Sequence, residues 1–247
     1  MGERKTVGVI GGMGPAATAE FFRRLVAATP ADRDEDHVRV LIDSDPRIPS
    51  RTDAVLQGGP DPSPRLGEIA RSLEAAGAQV LAMPCNTAHA FLGAIRKAVA
   101  IPVLDMVEEA AARVERGPVG LLSTAATIRL GLYQDAARRR GLPVLVPDAG
   151  RQADVTRVIA AVKAGSEVQA LRGALAPVVR ALVSAGASTI LVGCTELSLL
   201  GRVDESVAWV DALDALVEAA VRAAWGEARE REHCDERLEG ARRASRG

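Results

Sequence analysis

Short runs rich in β-branched residues alternate with alanine-rich stretches of helical composition along most of the chain. TVGVI is followed by PAATAEFFRRLVAAT, VRVLID by RLGEIARSLEAAG, and AQVLAM by a further helical stretch after Asn86. That rhythm restricts the fold to parallel strands joined by crossover helices. The strands read as continuously apolar, as strands covered on both faces do. With 247 residues and 48% hydrophobic content, the chain can bury one large core or two smaller ones.

Segment 43–65 interrupts the rhythm with Pro46, Pro49, Gly58, Gly59, Pro60, Pro62 and Pro64. A long irregular loop is expected there, at the carboxyl end of the second strand. Loops at that end commonly carry function, and a plain solvated connection is the alternative.

The chain also repeats itself. SLEAAGAQVLAMPCNTA aligns with LVSAGASTILVGCTELS, TVGVIGG with PVGLLST, and PVLDMVEEAA with AWVDALDALVEAA, in the same order and 106 to 112 residues apart. A duplicated α/β unit explains this better than coincidence. The expected fold is therefore α/β, with two pseudo-symmetric domains, each a parallel sheet flanked by helices. Residues 1–105 with 209–230 form the first lobe, which carries Cys85. Residues 106–208 form the second, which carries Cys194, and 231–247 form a charged tail. Carboxyl strand ends from both lobes would face one interdomain cleft.

Composition removes several function classes. A formal net charge of −1 and 2% aromatic residues offer neither a basic field nor stacking surfaces for nucleic acid. No stretch approaches the roughly 18 uninterrupted apolar residues of a membrane span, and the N-terminus lacks a signal-like apolar core, so a cytoplasmic protein is expected. Met1-Gly2-Glu3-Arg4-Lys5-Thr6 fits the loose myristoylation pattern, but Thr6 begins a strand, which argues against lipidation. Three cysteines suit free thiols in a reducing compartment better than a disulfide framework. Cys234 lies in the charged tail, outside the repeated setting, and receives no chemistry.

Gly11, Gly12, Met13, Gly14 and Pro15 follow a strand and open a helix, with Pro15 suited to the first helical position. Helix amides there can face an anion. The pattern is Gly-Gly-x-Gly-Pro rather than the dinucleotide fingerprint, and the nearest strand-end acid, Asp43, lies too far along. Carboxylate or phosphate binding and a purely structural turn are the remaining readings.

Cys85 follows Pro84 and precedes Asn86 and Thr87, where a strand ends and a helix starts; Cys194, between Gly193 and Thr195, occupies the equivalent place. A helix N-terminus favours the thiolate, so a lowered pKa is expected at both. One buried cysteine is usually inert packing, but two at equivalent positions of a repeat point to a shared task. His37, His89 and His233 show no metal-ligand spacing around either cysteine, so no metal is expected. Two thiols across one cleft suit removal of a proton from one face of a carbon and delivery to the other. That inverts a stereocentre.

Five stretches now resemble the cofactor-independent aspartate/glutamate racemase superfamily, within it the aspartate racemase group: VGVIGGMGPAATAEFF, IPSRT, MPCNTAHAF, VKAGS and GCTELS. The resemblance implies two α/β domains, no pyridoxal phosphate or other cofactor, a small amino-acid substrate and a homodimer. It also implies Cys85 and Cys194 as the acid/base pair, and Arg51 and Lys163 toward substrate carboxylates. Asn86, Thr87, Thr124, Thr127 and Thr195 are implied to hold the α-carboxylate beside the glycine loop of Met13 and Gly14, with helix capping the rival reading for the threonines. Glu196 is expected to meet the substrate ammonium or orient Cys194, and His89 to be a packing or surface residue. Aspartate is the expected substrate. Glutamate, a broader set of amino acids, a related isomerase and a non-catalytic module binding an acidic metabolite are the alternatives.

Overall fold

The computed structural model describes residues 4–225. The start of the myristoylation pattern and the charged tail with Cys234 lie outside the described residues.

The first half runs β1 (Val7–Gly11), α1 (Pro15–Ala28), β2 (Val40–Ser44), α2 (Arg51–Gln57), α3 (Ser63–Ala75), β3 (Val80–Ala82), α4 (Leu92–Ala98) and α5 (Met106–Ala112). The second runs β4 (Val119–Ser123), α6 (Ala125–Leu130), α7 (Leu132–Arg138), β5 (Val144–Leu145), α8 (Ala149–Lys163), α9 (Val168–Ser184), β6 (Thr189–Gly193), α10 (Thr195–Ser198), β7 (Ala208–Asp211) and α11 (Ala212–Trp225). All strand pairs are parallel, in two sheets ordered β2-β1-β3 and β5-β4-β6-β7. The fold is α/β, with each sheet flanked by helices.

The sheets differ by one strand, and an isolated parallel bridge between Leu81 and Val103 occupies in the first the place that β7 takes in the second. Each half thus has the same strand order. Gly8 on β1 and Gly120 on β4 reinforce the match. A Cβ on Gly8 would come within 2.6 Å of Leu81 and 2.8 Å of Ala78, and one on Gly120 within 2.7 Å of Ile190 and 3.1 Å of Ala187. In both halves a helix end and the neighbouring strand press on the central strand so closely that only glycine fits.

The central strands β1, β4 and β6 are buried along their length, whereas the edge strand β2 alternates between half-buried and exposed. One apolar core serves both sheets: Val7, Val9 and Val80 from the first, Val119, Leu121 and Leu191 from the second, and Val107, Ala110, Leu213, Leu216 and Ala220 from α5 and α11. α5 packs on α11 and α7, and α11 on α1 and β3. Each half therefore sends its last helix toward the other. Separate cores lie behind each sheet, around Ile10, Ile69, Leu81 and Ile95 in the first half and around Leu122, Val158, Val179 and Ile190 in the second.

Two expectations change. Residues 43–65 are not one irregular loop. They contain α2, started by Ser50, whose Oγ accepts a hydrogen bond from the Asp53 amide at 3.2 Å and so supplies a capping partner that the surrounding prolines obscure in the sequence. The stretch from residue 209, grouped from sequence with the first lobe, divides: β7 pairs along Thr189–Val192 of the second sheet, whereas α11 packs on α1, α5 and β3 of the first half as well as on α10, β6 and β7 of the second. Among the described residues, no helix is long and apolar enough to cross a membrane.

Candidate active site

The carboxyl ends of β1, β3 and β6 open onto one pocket lined by Met13, Ser50, Arg51, Thr52, Cys85, Asn86, Thr87, Thr124, Lys163, Gly193, Cys194, Thr195 and Glu196. Both halves contribute, and each contributes a cysteine. Ten of the twelve sequence-expected site residues line it directly. Gly14 stands beside it, where an added Cβ would lie 3.6 Å from Glu196 Oε1, and Thr127 is buried behind Thr87 and Thr124.

The glycine loop is held by Thr18, whose Oγ1 accepts from the Gly12 amide at 2.9 Å and donates to the Gly14 carbonyl at 3.1 Å. Gly12 adopts φ 89°, a conformation glycine reaches without a Cβ clash. Pro15 takes the first turn of α1 as expected. Arg51, at the start of α2, donates from Nη1 to the carbonyls of Ile48 and Pro49 at 3.1 and 3.0 Å and from Nη2 to that of Met13 at 3.4 Å. It clamps the IPSRT segment to the glycine loop and keeps a buried Nε–H without a partner.

Cys85 sits three residues beyond the end of β3 in a tight turn, its amide donating to the Met83 carbonyl at 2.8 Å. A short 3-10 helix, Thr87–Phe91, succeeds Asn86 and leads into α4. His89 is buried beneath this turn. Its Nε2 accepts from the Met106 amide at 3.0 Å, which fixes the proton on Nδ1, and Nδ1 donates to the Cys85 carbonyl at 2.9 Å. Burial holds the imidazole pKa below its ordinary value, so the ring is neutral. His89 ties the Cys85 turn to the start of α5.

Cys194 directly follows β6 and is buried, with Sγ donating to Glu196 Oε2 at 3.2 Å. Lys163, at the end of α8 and half-exposed, places Nζ 3.6 Å from Glu196 Oε1. The expected fall in thiol pKa does not occur here. Burial first, and then the Glu196 charge, push the Cys194 thiol well above 9, while the Glu196 amide and Lys163 offset only part of this. α10 spans four residues, too few for its dipole to outweigh a carboxylate in contact. Below this turn, Ser198 Oγ donates to Asp211 Oδ1 at 2.6 Å, and Arg24 Nη1 and Nη2 donate to Asp211 Oδ2 and the Ser198 carbonyl, each at 2.7 Å.

Three hydroxyls meet across the halves. Thr87 Oγ1 lies 3.0 Å from Thr124 Oγ1 and 2.9 Å from Thr127 Oγ1, and Thr124 Oγ1 lies 3.0 Å from Thr127 Oγ1. Thr124 also caps α6, its Oγ1 accepting from the Thr127 amide at 3.1 Å, so capping and pocket lining coexist in one residue. Asn86 is buried, its Oδ1 accepting from the Tyr133 hydroxyl while its Nδ2 has no partner.

Sequence reasoning passed over Ser50, Thr52, Gly193 and Tyr133. The first three flank residues already singled out, so those short motifs held the signal. Tyr133, on a helix of ordinary composition, carried none.

The Asp/Glu/Hydantoin racemase family model matches residues 10–224. The broad specificity amino-acid racemase RacX of Bacillus subtilis (strain 168) is 28% identical over 222 residues, covering 87% of this chain and 96% of that one. A glutamate racemase of Roseiflexus sp. (strain RS-1) is 36% identical over 160 residues, or 62% of this chain and 57% of that one. Among solved structures, Picrophilus torridus aspartate racemase superposes with a TM-score of 0.80 at 30% identity, covering 89% of this chain and 94% of that one. With a two-sheet frame, a shared pocket and a match along nearly all the described residues, the chain belongs to the Asp/Glu/hydantoin racemase family and is an amino-acid racemase.

Proposed function

We propose that the protein interconverts L- and D-aspartate without a cofactor, Cys85 and Cys194 acting as a two-base pair. One observation carries this: equivalent turns of the two halves each bring a thiol to a single pocket that also holds Arg51 and Lys163, cations suited to an acidic substrate.

In this reading the substrate α-carbon lies between the thiols. One cysteine, as thiolate, takes the α-proton; the other, as thiol, gives its proton to the opposite face, so the two exchange protonation states in each turnover. With its pKa raised and its Sγ proton directed to Glu196, Cys194 is held in the thiol form at rest. It serves as the acid in the direction where Cys85 serves as the base. An amino acid's α-proton is far less acidic than a thiol, so the site must stabilise the carbanion. Asn86, the Thr87 and Thr124 hydroxyls and Thr195 hold the α-carboxylate, onto which the negative charge spreads, while Met13 and Gly14 close that side. Thr127 steadies the two hydroxyls from behind. Arg51 and Lys163 receive the side-chain carboxylate. Glu196 Oε1, buried without a hydrogen-bond donor, receives the ammonium.

Similarity to the broad specificity amino-acid racemase favours one second reading, a wider substrate range. One methylene is weakly discriminated by pocket contacts alone. Incubating the protein in deuterated water with L- and D-amino acids and following α-deuteration by NMR separates the two. Deuteration of aspartate from both enantiomers without added cofactor supports the first reading. Comparable rates across many side chains support the second, and no deuteration of any amino acid overturns both.

A further inference from the structure

We propose that Tyr133 is a positioning residue, fixing the Asn86 side-chain amide so that its NH2 group serves as a donor to a substrate carboxylate. This rests on the proposal that the pocket takes an amino acid. Tyr133 stands on α7 of the second half, is 1% exposed and reaches Asn86 in the first half, where its hydroxyl donates to Oδ1. Its ring lies under Gly193, where an added Cβ would come within 2.7 Å of Tyr133 Cε2. The side chain therefore touches both cysteine turns: the hydroxyl on the residue after Cys85, the ring on the residue before Cys194.

An amide offers an acceptor and a donor, and a pocket that binds an anion needs the donor. Burial, with the negative charges of Asp211 and Asp105, raises the Tyr133 pKa well above 10, so the phenol remains a donor at any working pH. A donor in that place takes Oδ1 and leaves Nδ2, buried and without a partner, on a residue that lines the pocket. A carboxylate is the complementary chemistry. Without the hydroxyl the amide can turn its oxygen toward the anion.

The test is steady-state racemisation of aspartate, or of the best amino acid found by α-deuteration, with Tyr133→Phe, Asn86→Ala, Asn86→Asp and the Tyr133→Phe/Asn86→Ala pair. Tyr133→Phe is expected to raise KM about tenfold, the effect of disturbing one buried hydrogen-bonded group, with kcat changed far less. Because Tyr133 acts through Asn86, adding Tyr133→Phe to Asn86→Ala should cost little more. Asn86→Asp should raise KM further than Asn86→Ala, since a carboxylate would then face the substrate's own. An unchanged KM in Tyr133→Phe, or penalties that multiply in full in the double variant, overturns the proposal. Should Tyr133→Phe fail to fold, Asn86→Asp binding as well as Asn86→Ala overturns it alone. A wild-type protein inactive on every amino acid overturns the amino-acid reading and this one together.

Discussion

The Cys85 and Cys194 turns occupy equivalent places in the duplicated fold, yet they are built differently. At Cys85 the support is below the backbone: neutral His89 bonds the cysteine carbonyl and leaves the thiol without a hydrogen-bond partner among the described residues. At Cys194 the support acts on the sulfur itself, through Glu196, and the turn is anchored to the opposite half by Arg24. Duplication supplies two similar positions, but two-base chemistry needs one thiol holding a proton when the other does not. In the proposed two-base reading, the carboxylate beside only one sulfur favours the thiol form there.

The largest expected effect tests the partnership. Cys85→Ala and Cys194→Ala should each lower racemisation by at least about 10³-fold, while each variant keeps α-deuteration of one enantiomer, opposite for the two. Near-normal racemisation by either variant would break the comparison, since a lone thiol would then suffice. Next comes Glu196→Gln, expected to reduce kcat by about 10- to 100-fold, as for loss of a hydrogen bond to a charged group. The sign for Cys194 is set by the charge removed: without the carboxylate the thiolate becomes less costly, so the thiol pKa falls. Alkylation of Cys194 against pH should therefore shift to lower pH in Glu196→Gln and leave the Cys85 profile in place.

A smaller pair of effects concerns the frame. Gly8→Ala and Gly120→Ala should each destabilise by about 1–3 kcal/mol in denaturant unfolding, and by similar amounts, because each Cβ meets the same kind of neighbours. A marked inequality would show that the halves are less alike than their strand order suggests. The smallest effect belongs to the anchor present only beside Cys194. Glu20, bonded to Arg23 and Arg24, has its pKa lowered from 4.5 to about 2. A carboxyl held below its unfolded pKa contributes stability that is complete above about pH 4.5 and fades as pH falls toward 2. Glu20→Gln should flatten that limb by less than about 1 kcal/mol, the range of exposed ion pairs, in thermal unfolding from pH 6 to 2.

Much of this was legible in the chain. Alternation of strand and helix, continuous apolar strands and three repeated segments were enough for an α/β fold with two sheets. The cysteines stood out because the repeat aligned them. The order of charges around them did not. Whether Thr124 caps a helix or faces a pocket is a question of geometry, and both are true. The lowered pKa expected of Cys194 depended on a helix that proved to be one turn long, with a carboxylate two residues away folded back onto the sulfur. Tyr133 gave no sequence signal because its role depends on a contact between residues 47 apart.

The sequence by itself determined local and periodic matters: which runs become strands, and that the unit occurs twice. These depend on side-chain shape, polarity and spacing, which each segment carries with it. Only the tertiary structure decided that α5 and α11 join the two sheets through one core, that β7 completes the second sheet, and that Tyr133 touches both cysteine turns. It also decided that the Cys194 thiol pKa is pushed up rather than down, because burial and the field of a neighbouring carboxylate act through space, over distances that the order of residues does not specify.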